Sequence, residues 1–355
     1  MNSSGKSKVN QLRTKIISLL SHEHFVSGEE IATQLGVTRS AVSSHVKAIS
    51  GLGLDIFSVK GKGYKLAQAL NMLDSSLIFK YAANSSNGLF GQQHIIVENI
   101  VSSTNDLIKA SSRELSQGSV CLAEAQTKGR GRRGRTWVSP FGASIYMSML
   151  WRFESGYQSM SGLSLLIGIG VRRALNAMGA EKSQLKWPND VYYNGKKLAG
   201  ILIEVEGKIG DLTTAIIGIG VNVALPENVK GIDQPFTDVQ TVLGKRIDRN
   251  EFAGALLNEL WQMLEIFQQQ GLQPFLKEWH QADLFLNERI SIGAGNFSTT
   301  GISRGIDSSG ALLLEVDGIV KPYFGGEIHQ NIAEGANSSD SGSGNNGSEF
   351  RVRQV

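Results

Sequence analysis

Two apolar, strand-like runs, Lys197–Val205 and Leu212–Val223, are separated only by Glu206-Gly207-Lys208-Ile209-Gly210-Asp211. Parallel neighbours need a crossover of about a dozen residues or more, usually a helix. So short a connection makes these strands a hairpin. That spacing excludes an all-parallel, doubly wound sheet and predicts a mixed or antiparallel sheet with helices packed on it. The surrounding pattern agrees. Ser103-Thr104-Asn105 precedes a helical run from Asp106 to about Leu115, and Ser119–Gln126 reads as a strand. Ala143–Trp151 alternates with Ile145, Met147, Met149 and Trp151 on one face. Gly162–Met178 reads as a buried helix, and Asn250 as the cap of a long amphipathic helix ending at Gln270. The stretch 68–286 is therefore expected to be one α/β domain without an internal repeat.

Residues 1–67 form a different unit. They carry nine Lys/Arg against four acids, a balance of +5, while the rest of the chain sums to −2. A basic segment on a near-neutral body suggests contact with a polyanion. Residues 11–21 read as an amphipathic helix. Ser27 and Glu30 have capping-box spacing, followed by a helix that stops at Gly36, and Thr38 caps a third helix with Ala41, Val42, Val46 and Ile49 on its apolar face. A short hairpin follows, Ile56–Val59 and Tyr64–Leu66, with Lys60 and Lys62 at its tip. This is a winged helix-turn-helix. The third helix would expose Arg39, Ser40, Ser43, Ser44 and Lys47 beside Thr38, groups able to reach phosphates and base edges. The alternative is a three-helix packing module with a solvated charged surface.

Residues 287–334 contain short strands, Arg289–Ile292, Thr299–Ile306, Ala311–Val316 and Ile319–Tyr323, with Asp317-Gly318 as a hairpin turn. This predicts a small β-barrel. From 335 to 355 the sequence is rich in Gly, Ser and Asn and reads as a disordered tail. A single cysteine, Cys121, excludes an intramolecular disulfide framework and a multi-thiolate zinc site, and no residues are singled out as metal ligands. No apolar run reaches the roughly 18 residues of a membrane span, and the N-terminus lacks a signal-peptide core. A soluble cytoplasmic protein without a membrane partner is expected.

The most informative motif is Lys128-Gly129-Arg130-Gly131-Arg132-Arg133-Gly134-Arg135, five cations and three glycines without an acid. Glycines let backbone N–H groups turn inward, and arginines offer bidentate contacts to phosphate or carboxylate. Such a loop should be mobile when empty and collapse onto a polyphosphate. It fits G-x-G-x-x-G, yet Thr136-Trp137-Val138-Ser139-Pro140 follows where a dinucleotide fold would start a helix. A basic nucleic-acid-binding loop is the alternative. Lys186-Trp187-Pro188-Asn189-Asp190 forces a turn beside an aromatic ring, where Asp190 could orient a lysine or a metal-bound phosphate and Lys197 could reach across a pocket. Gly218–Val223 is a glycine-studded strand in which Asn222 needs a partner if buried. Ser103, Thr104 and Asn105 are either simple helix caps or a hydrogen-bonding trio for a small polar ligand.

Taken in order, these segments resemble the bifunctional biotin–protein ligases of bacteria: Ser103-Thr104-Asn105, Gln126, GRGRRGRTW at 129–137, KWPND at 186–190, KLAGIL at 197–202 and GIGVNV at 218–223. The likeness spans about residues 8–334. It implies a winged helix (1–67), a class II synthetase-like catalytic domain (68–286) and an SH3-like C-terminal barrel (287–334). It further implies that biotin and ATP, with Mg²⁺, form biotinyl-5′-adenylate, and that biotin passes to a lysine of a biotin carboxyl carrier protein. By that likeness Ser103, Thr104 and Gln126 would face biotin, Asn105 would belong to the biotin- or adenylate-binding set, and Arg130, Gly131 and Arg132 would lie on the closing loop. Lys197 would sit at the carboxylate and α-phosphate, and Trp137 and Asn222 at the nucleotide end. Lys197, Arg132 and Asp190 are the candidate catalytic residues. The same likeness makes the chain a homodimeric repressor of biotin biosynthesis genes that binds operator DNA, with the adenylate as corepressor. The alternatives are a lipoate–protein ligase, disfavoured by the arginine-rich loop and the fused winged helix, and a metabolite-sensing regulator without catalysis.

Overall fold

The computed structural model describes residues 3–82, 91, 94–154, 160–207, 212–294 and 297–330. The 335–355 segment read as a tail, the last four residues of the expected barrel and part of the 206–211 turn lie outside them.

At the N-terminus, α1 (Ser3–Leu19), α2 (Gly28–Leu35) and α3 (Arg39–Ser50) pack around Ile16, Ile31, Val42, Val46 and Ile49. Helix α1 begins several residues earlier than its apolar pattern suggests. The Ser27 hydroxyl accepts from Glu29 N, one residue short of the Glu30 amide that a capping box uses. Gly36 ends α2 with φ of 64°, a backbone region that suits glycine, and Thr38 accepts from Ala41 N at the start of α3. The wing pairs β1 (Ile56–Val59) with β2 (Gly63–Leu66) antiparallel, Val59 facing Gly63.

The middle of the chain runs α4 (Ser75–Ala82), β3 (Ile95–Val101), α5 (Thr104–Ala110), β4 (Val120–Gln126), β5 (Ser144–Phe153), α6 (Leu163–Ala177), β6 (Gln184–Lys186), β7 (Asp190–Tyr193), β8 (Lys196–Glu206), β9 (Thr213–Asn222), α7 (Val239–Leu243), α8 (Arg249–Gln270) and α9 (Leu276–Ala282). The sheet order is β3-β4-β5-β9-β8-β7-β6. Only β3 and β4 run parallel, across the α5 connection. The others are antiparallel, and β8 and β9 pair from Ala199–Val221 to Glu206–Thr214. The short β8–β9 connection makes that pair antiparallel, and the parallel β3–β4 pair makes the sheet mixed rather than wholly antiparallel.

One face of the sheet is covered by α6 and α8. There Trp151 meets Trp261 edge-to-face at 5.3 Å and Phe153 meets Phe267 at 6.1 Å. Each such ring contributes about 1.5–3 kcal/mol by burial. On the other face α5 buries Ile108 against Cys121, Leu150 and Ile216. The rest of that face is left for a pocket.

Two expected helix starts move. Helix α5 begins at Thr104 and ends at Ala110, shorter than the run to Leu115, and beyond its end Arg152 Nη2 donates to the carbonyls of Ser112 and Leu115 at 2.7 Å. Helix α8 is capped by Asp248, whose carboxylate accepts from Asn250 N. Asn250 instead donates to Met72 O and accepts from Asp74 N. The neighbouring Arg249–Glu124 pair, 2.7 Å apart and buried on both sides, bonds to Asn71 O and Leu73 N. The connection between the winged helix and the α/β domain is therefore held in place. The winged helix rests on that domain through Ile100, Ala125 and Phe141, which share its apolar core, and Phe141 N donates to Leu52 O.

Beyond α9, strands β10 (Arg289–Ala294), β11 (Phe297–Ile306), β12 (Leu312–Val316), β13 (Ile319–Tyr323) and β14 (Glu327–Gln330) form an antiparallel sheet in the order β13-β12-β11-β10-β14. The last strand follows the Gly325-Gly326 turn and is not among the four strands that the sequence pattern predicts. Gly310 O accepts from Trp187 Nε1, fixing this sheet beside the α/β domain. Among the described residues no helix is long and apolar enough to cross a membrane.

Candidate active site

A pocket of about 620 Å³ opens on the sheet face opposite α6 and α8. Every candidate binding or catalytic residue in the α/β domain lines it: Ser103, Thr104, Asn105, Gln126, Arg130, Gly131, Arg132, Trp137, Asp190, Lys197 and Asn222. Segments scattered over 120 residues meet because the ends of four strands and the loop after β4 converge there.

At one end, Ser103 stands at the N-cap position of α5, buried, and makes no capping hydrogen bond. Simple capping therefore does not account for it. Gln126 Oε1 accepts from Thr104 N at 2.9 Å, and Gln126 Nε2 donates to Ser139 Oγ. Ser148 Oγ donates toward Thr104 Oγ1 and Asn105 Oδ1. Gly218 makes room for this network, since a Cβ there would lie 2.5 Å from Asn105 Oδ1. The result is a compact polar wall suited to a small ligand with both donors and acceptors.

The cationic loop folds back on itself. Gly131 N donates to Arg135 O at 2.7 Å, Trp137 N donates to Gly129 O, and Arg132–Gly134 form one 3₁₀ turn. The like-charge repulsion within the loop is offset by carboxylates brought from elsewhere. Arg130 lies 2.7 Å from Asp106 and 3.2 Å from Glu204, while Arg133 and Arg135 reach Glu327 at 3.7 and 2.7 Å. The Arg130 guanidinium holds the Asp106 carboxyl below its usual range. Arg132 points inward and donates to Asn189 Oδ1 at 3.1 Å. Burial, followed by the adjacent Arg133, lowers its pKa, so an anion in the pocket would gain from it strongly.

At the other end, Lys197 Nζ lies 2.9 Å from Asp190 Oδ1 and 5.5 Å from the centre of the Trp137 ring. At that distance the carboxylate and the ammonium form an ion pair, both largely buried. Trp137 Nε1 is buried without a hydrogen-bond partner. Its ring lies flush on the sheet because β9 offers Gly220 there, where a Cβ would be 2.4 Å from the indole. Asn222 Nδ2 donates to Thr237 O, which answers the need for a partner and anchors the loop that lines the pocket from Gly231 to Phe236.

Sequence reasoning missed several lining residues. Lys186 lies within 5.0 Å of the Tyr192 ring centre and 5.8 Å of that of Phe285, and burial lowers its pKa. Asn189 holds Arg132 and donates to Ile201 O. Both stand inside the KWPND motif, which could have flagged them. Glu327 and the 231–236 loop carry no local signal and are visible only through the fold. On the winged helix, Thr38, Arg39, Ser40, Ser43, Ser44 and Lys47 are all exposed on α3, with Lys60 and Lys62 exposed at the wing tip. His45 lies partly buried between them, its pKa lowered by burial and by Arg13.

A polar ligand pocket on a mixed sheet, closed by a cationic loop and joined to a DNA-reading module, defines a ligase with a regulatory domain. Comparison with known proteins agrees. Residues 97–222 match the biotin/lipoate A/B protein ligase family, residues 12–65 a helix-turn-helix domain, and residues 285–328 the biotin protein ligase C-terminal domain. The chain is 42% identical to the bifunctional ligase/repressor BirA of Escherichia coli over 92% of its own length and 99% of that protein. It is 30% identical to the bifunctional ligase/repressor BirA of Bacillus subtilis over 89% and 98%. The biotin protein ligase of Aquifex aeolicus in complex with biotin and ATP superposes with a TM-score of 0.59 and 30% identity, covering 66% of this chain and 97% of that one. The chain belongs to the bifunctional biotin–protein ligases, which join a ligase to a helix-turn-helix repressor domain.

Proposed function

We propose that this pocket joins biotin to ATP and holds the resulting biotinyl-5′-adenylate until a lysine of a biotin carboxyl carrier protein takes the biotinyl group. The observation that carries the reading is the pocket's polarity. A neutral hydrogen-bonding wall at Ser103, Thr104, Asn105 and Gln126 passes into a cationic end at Arg132, Lys186 and Lys197. A ureido ring suits the first end and a polyphosphate the second. The biotin carboxylate displaces pyrophosphate at the α-phosphorus, forming a C(O)–O–P bond as the α–β phosphoanhydride breaks. Two anions must meet for this. Lys197 and Arg132 would offset that repulsion and stabilise charge on the leaving pyrophosphate. Trp137 and Asn222 would hold the nucleotide end.

Among the described residues no three carboxylates, histidines or cysteines stand close enough to hold a metal by themselves. Mg²⁺ bound with ATP needs only one or two protein carboxylates. Asp190 lines the cationic end of the pocket and is the carboxylate that would hold it there, and the ion would supply charge neutralisation of the phosphates.

In the same reading the chain acts in the cytoplasm as a homodimer. The adenylate favours the DNA-binding state, through differential affinity alone. The two α3 helices of the dimer read two half-sites, with Arg39, Lys47, Lys60 and Lys62 on phosphate and Ser40, Ser43 and Ser44 near base edges. Incubation with ATP and either biotin or lipoate, followed by assay of pyrophosphate and labelled carrier, tests the reading. Pyrophosphate and carrier labelling with biotin alone support it. Product with lipoate, or operator binding with no product from either acid, contradicts it.

A further inference from the structure

The four arginines of the loop divide into three groups. Arg133 and Arg135 face Glu327 on β14. Arg132 turns to Asn189 at the pocket floor. Arg130, at the loop's first bend, is taken up by protein carboxylates, with Asp106 at 2.7 Å and both oxygens of Glu204 at 3.2 and 3.3 Å. Arg130 is thus committed to the protein, and a phosphate would have to compete for it.

Glu204 has a second partner. Its Oε2 accepts from Asn105 Nδ2 at 2.8 Å. The other end of the Asn105 amide is also fixed, because Oδ1 accepts from Ser148 Oγ and presses on the bare backbone of Gly218. Glu204 stands on β8, the strand that begins beside Lys197, at its opposite end. It is partly buried, with 28% of its side chain exposed. One carboxylate therefore joins an amide of the polar wall to a guanidinium of the closing loop.

We infer that Glu204 is a positioning residue that latches the cationic loop through Arg130 and, in the same contact, orients Asn105. The latch rests on the ligase reading above. With Asn105 aligned, Glu204 presents both oxygens to Arg130, sharing Oε2 with the amide, and the loop's first bend closes. Asp106, next to Asn105 in sequence, completes the receptor for the guanidinium. Loop closure then depends on the order of the polar wall, and the adenylate is retained while both contacts stand.

The test measures release of biotinyl-adenylate made in place by the full-length protein from biotin and α-labelled ATP without carrier, then chased with unlabelled substrates. Glu204→Gln still offers an acceptor to Asn105 but no charge to Arg130. Release should accelerate roughly three- to tenfold, as expected for losing a partly exposed charge-assisted hydrogen bond. The KM for biotin should stay within about twofold, since the amide contact survives. Arg130→Gln should release at a similar rate, and the double variant no faster than either single one. Asp106→Asn, at a more exposed position, gives a second reading should Glu204→Gln fold poorly. Release at the wild-type rate from whichever of these two variants folds, or fully additive effects of Glu204→Gln and Arg130→Gln, overturns the latch. If the wild-type protein makes no adenylate, the ligase reading itself fails and the latch with it.

Discussion

Lys197 Nζ stands 2.9 Å from Asp190 Oδ1, across adjacent strands β8 and β7 at the cationic end of the pocket. The carboxylate sets the position of the ammonium beside the Trp137 ring. Removing the amine in Lys197→Ala should lower the rate of pyrophosphate formation by about 10²–10³, the usual cost of losing one preorganised charge stabiliser. Biotin binding, measured calorimetrically without ATP, should weaken by a smaller factor, since Lys197 meets only the carboxylate of that ligand. Asp190→Asn keeps the amine but loosens its placement and should cost less. Equal rates for wild type and Lys197→Ala would remove Lys197 from the chemistry.

Trp137 lies flat on Gly220 with no space for a side chain. Gly220→Ala should force the indole away, raising KM for ATP, and should destabilise the fold by about 1–3 kcal/mol through overpacking. Thermal unfolding and steady-state kinetics together check this. A variant with unchanged KM for ATP would show that the ring does not serve the nucleotide.

Lys186 gives a pH dependence with a definite sign. Burial lowers its pKa below that of an ordinary lysine. In the free enzyme it therefore loses its proton, as pH rises, earlier than an exposed lysine would. The cation is the form that binds phosphate, so kcat/KM for ATP should fall on the alkaline side below the ordinary lysine range. In Lys186→Arg, which stays charged, that limb should move to higher pH.

The polar surface of α3 and the wing is separate from the pocket. Arg39→Ala and Lys47→Ala should weaken operator binding and lower its salt slope by about one each if each meets one phosphate. Adenylate formation should stay at the wild-type rate. A quantitative mobility-shift series at several salt concentrations measures both terms.

The buried Glu124–Arg249 pair bears on stability rather than chemistry. Arg249→Met would leave Glu124 charged and buried and should cost about 3–5 kcal/mol in denaturant unfolding. The mixed sheet, the winged helix and the pocket motifs were legible in the sequence because each depends on local spacing: a short turn, a capping residue with a glycine stop, or a dense cluster of like charges. The Arg249 contact was not. It joins positions far apart in the chain, and Arg249 reads locally as an ordinary residue before the expected cap, Asn250. The same limit hid Glu204 and Glu327. Each is an ordinary acidic residue on a strand, and only the fold brings it to the arginines of a loop that looks unbalanced when read alone. Local competition also misled the helix starts, since Asp248 and Asn250 are both good caps and the tertiary partners of Asn250 decide between them.

The most direct test of the account is to mix the protein with biotin and α-labelled ATP, omit the carrier, and separate protein from free nucleotide. The predicted result is one equivalent of pyrophosphate and a protein-bound acyl-adenylate that leaves quickly from Arg132→Gly and is discharged by added carrier. Absence of pyrophosphate, or an Arg132→Gly variant that keeps the adenylate as long as wild type, would contradict the claim that this loop encloses a carboxyl–phosphate anhydride.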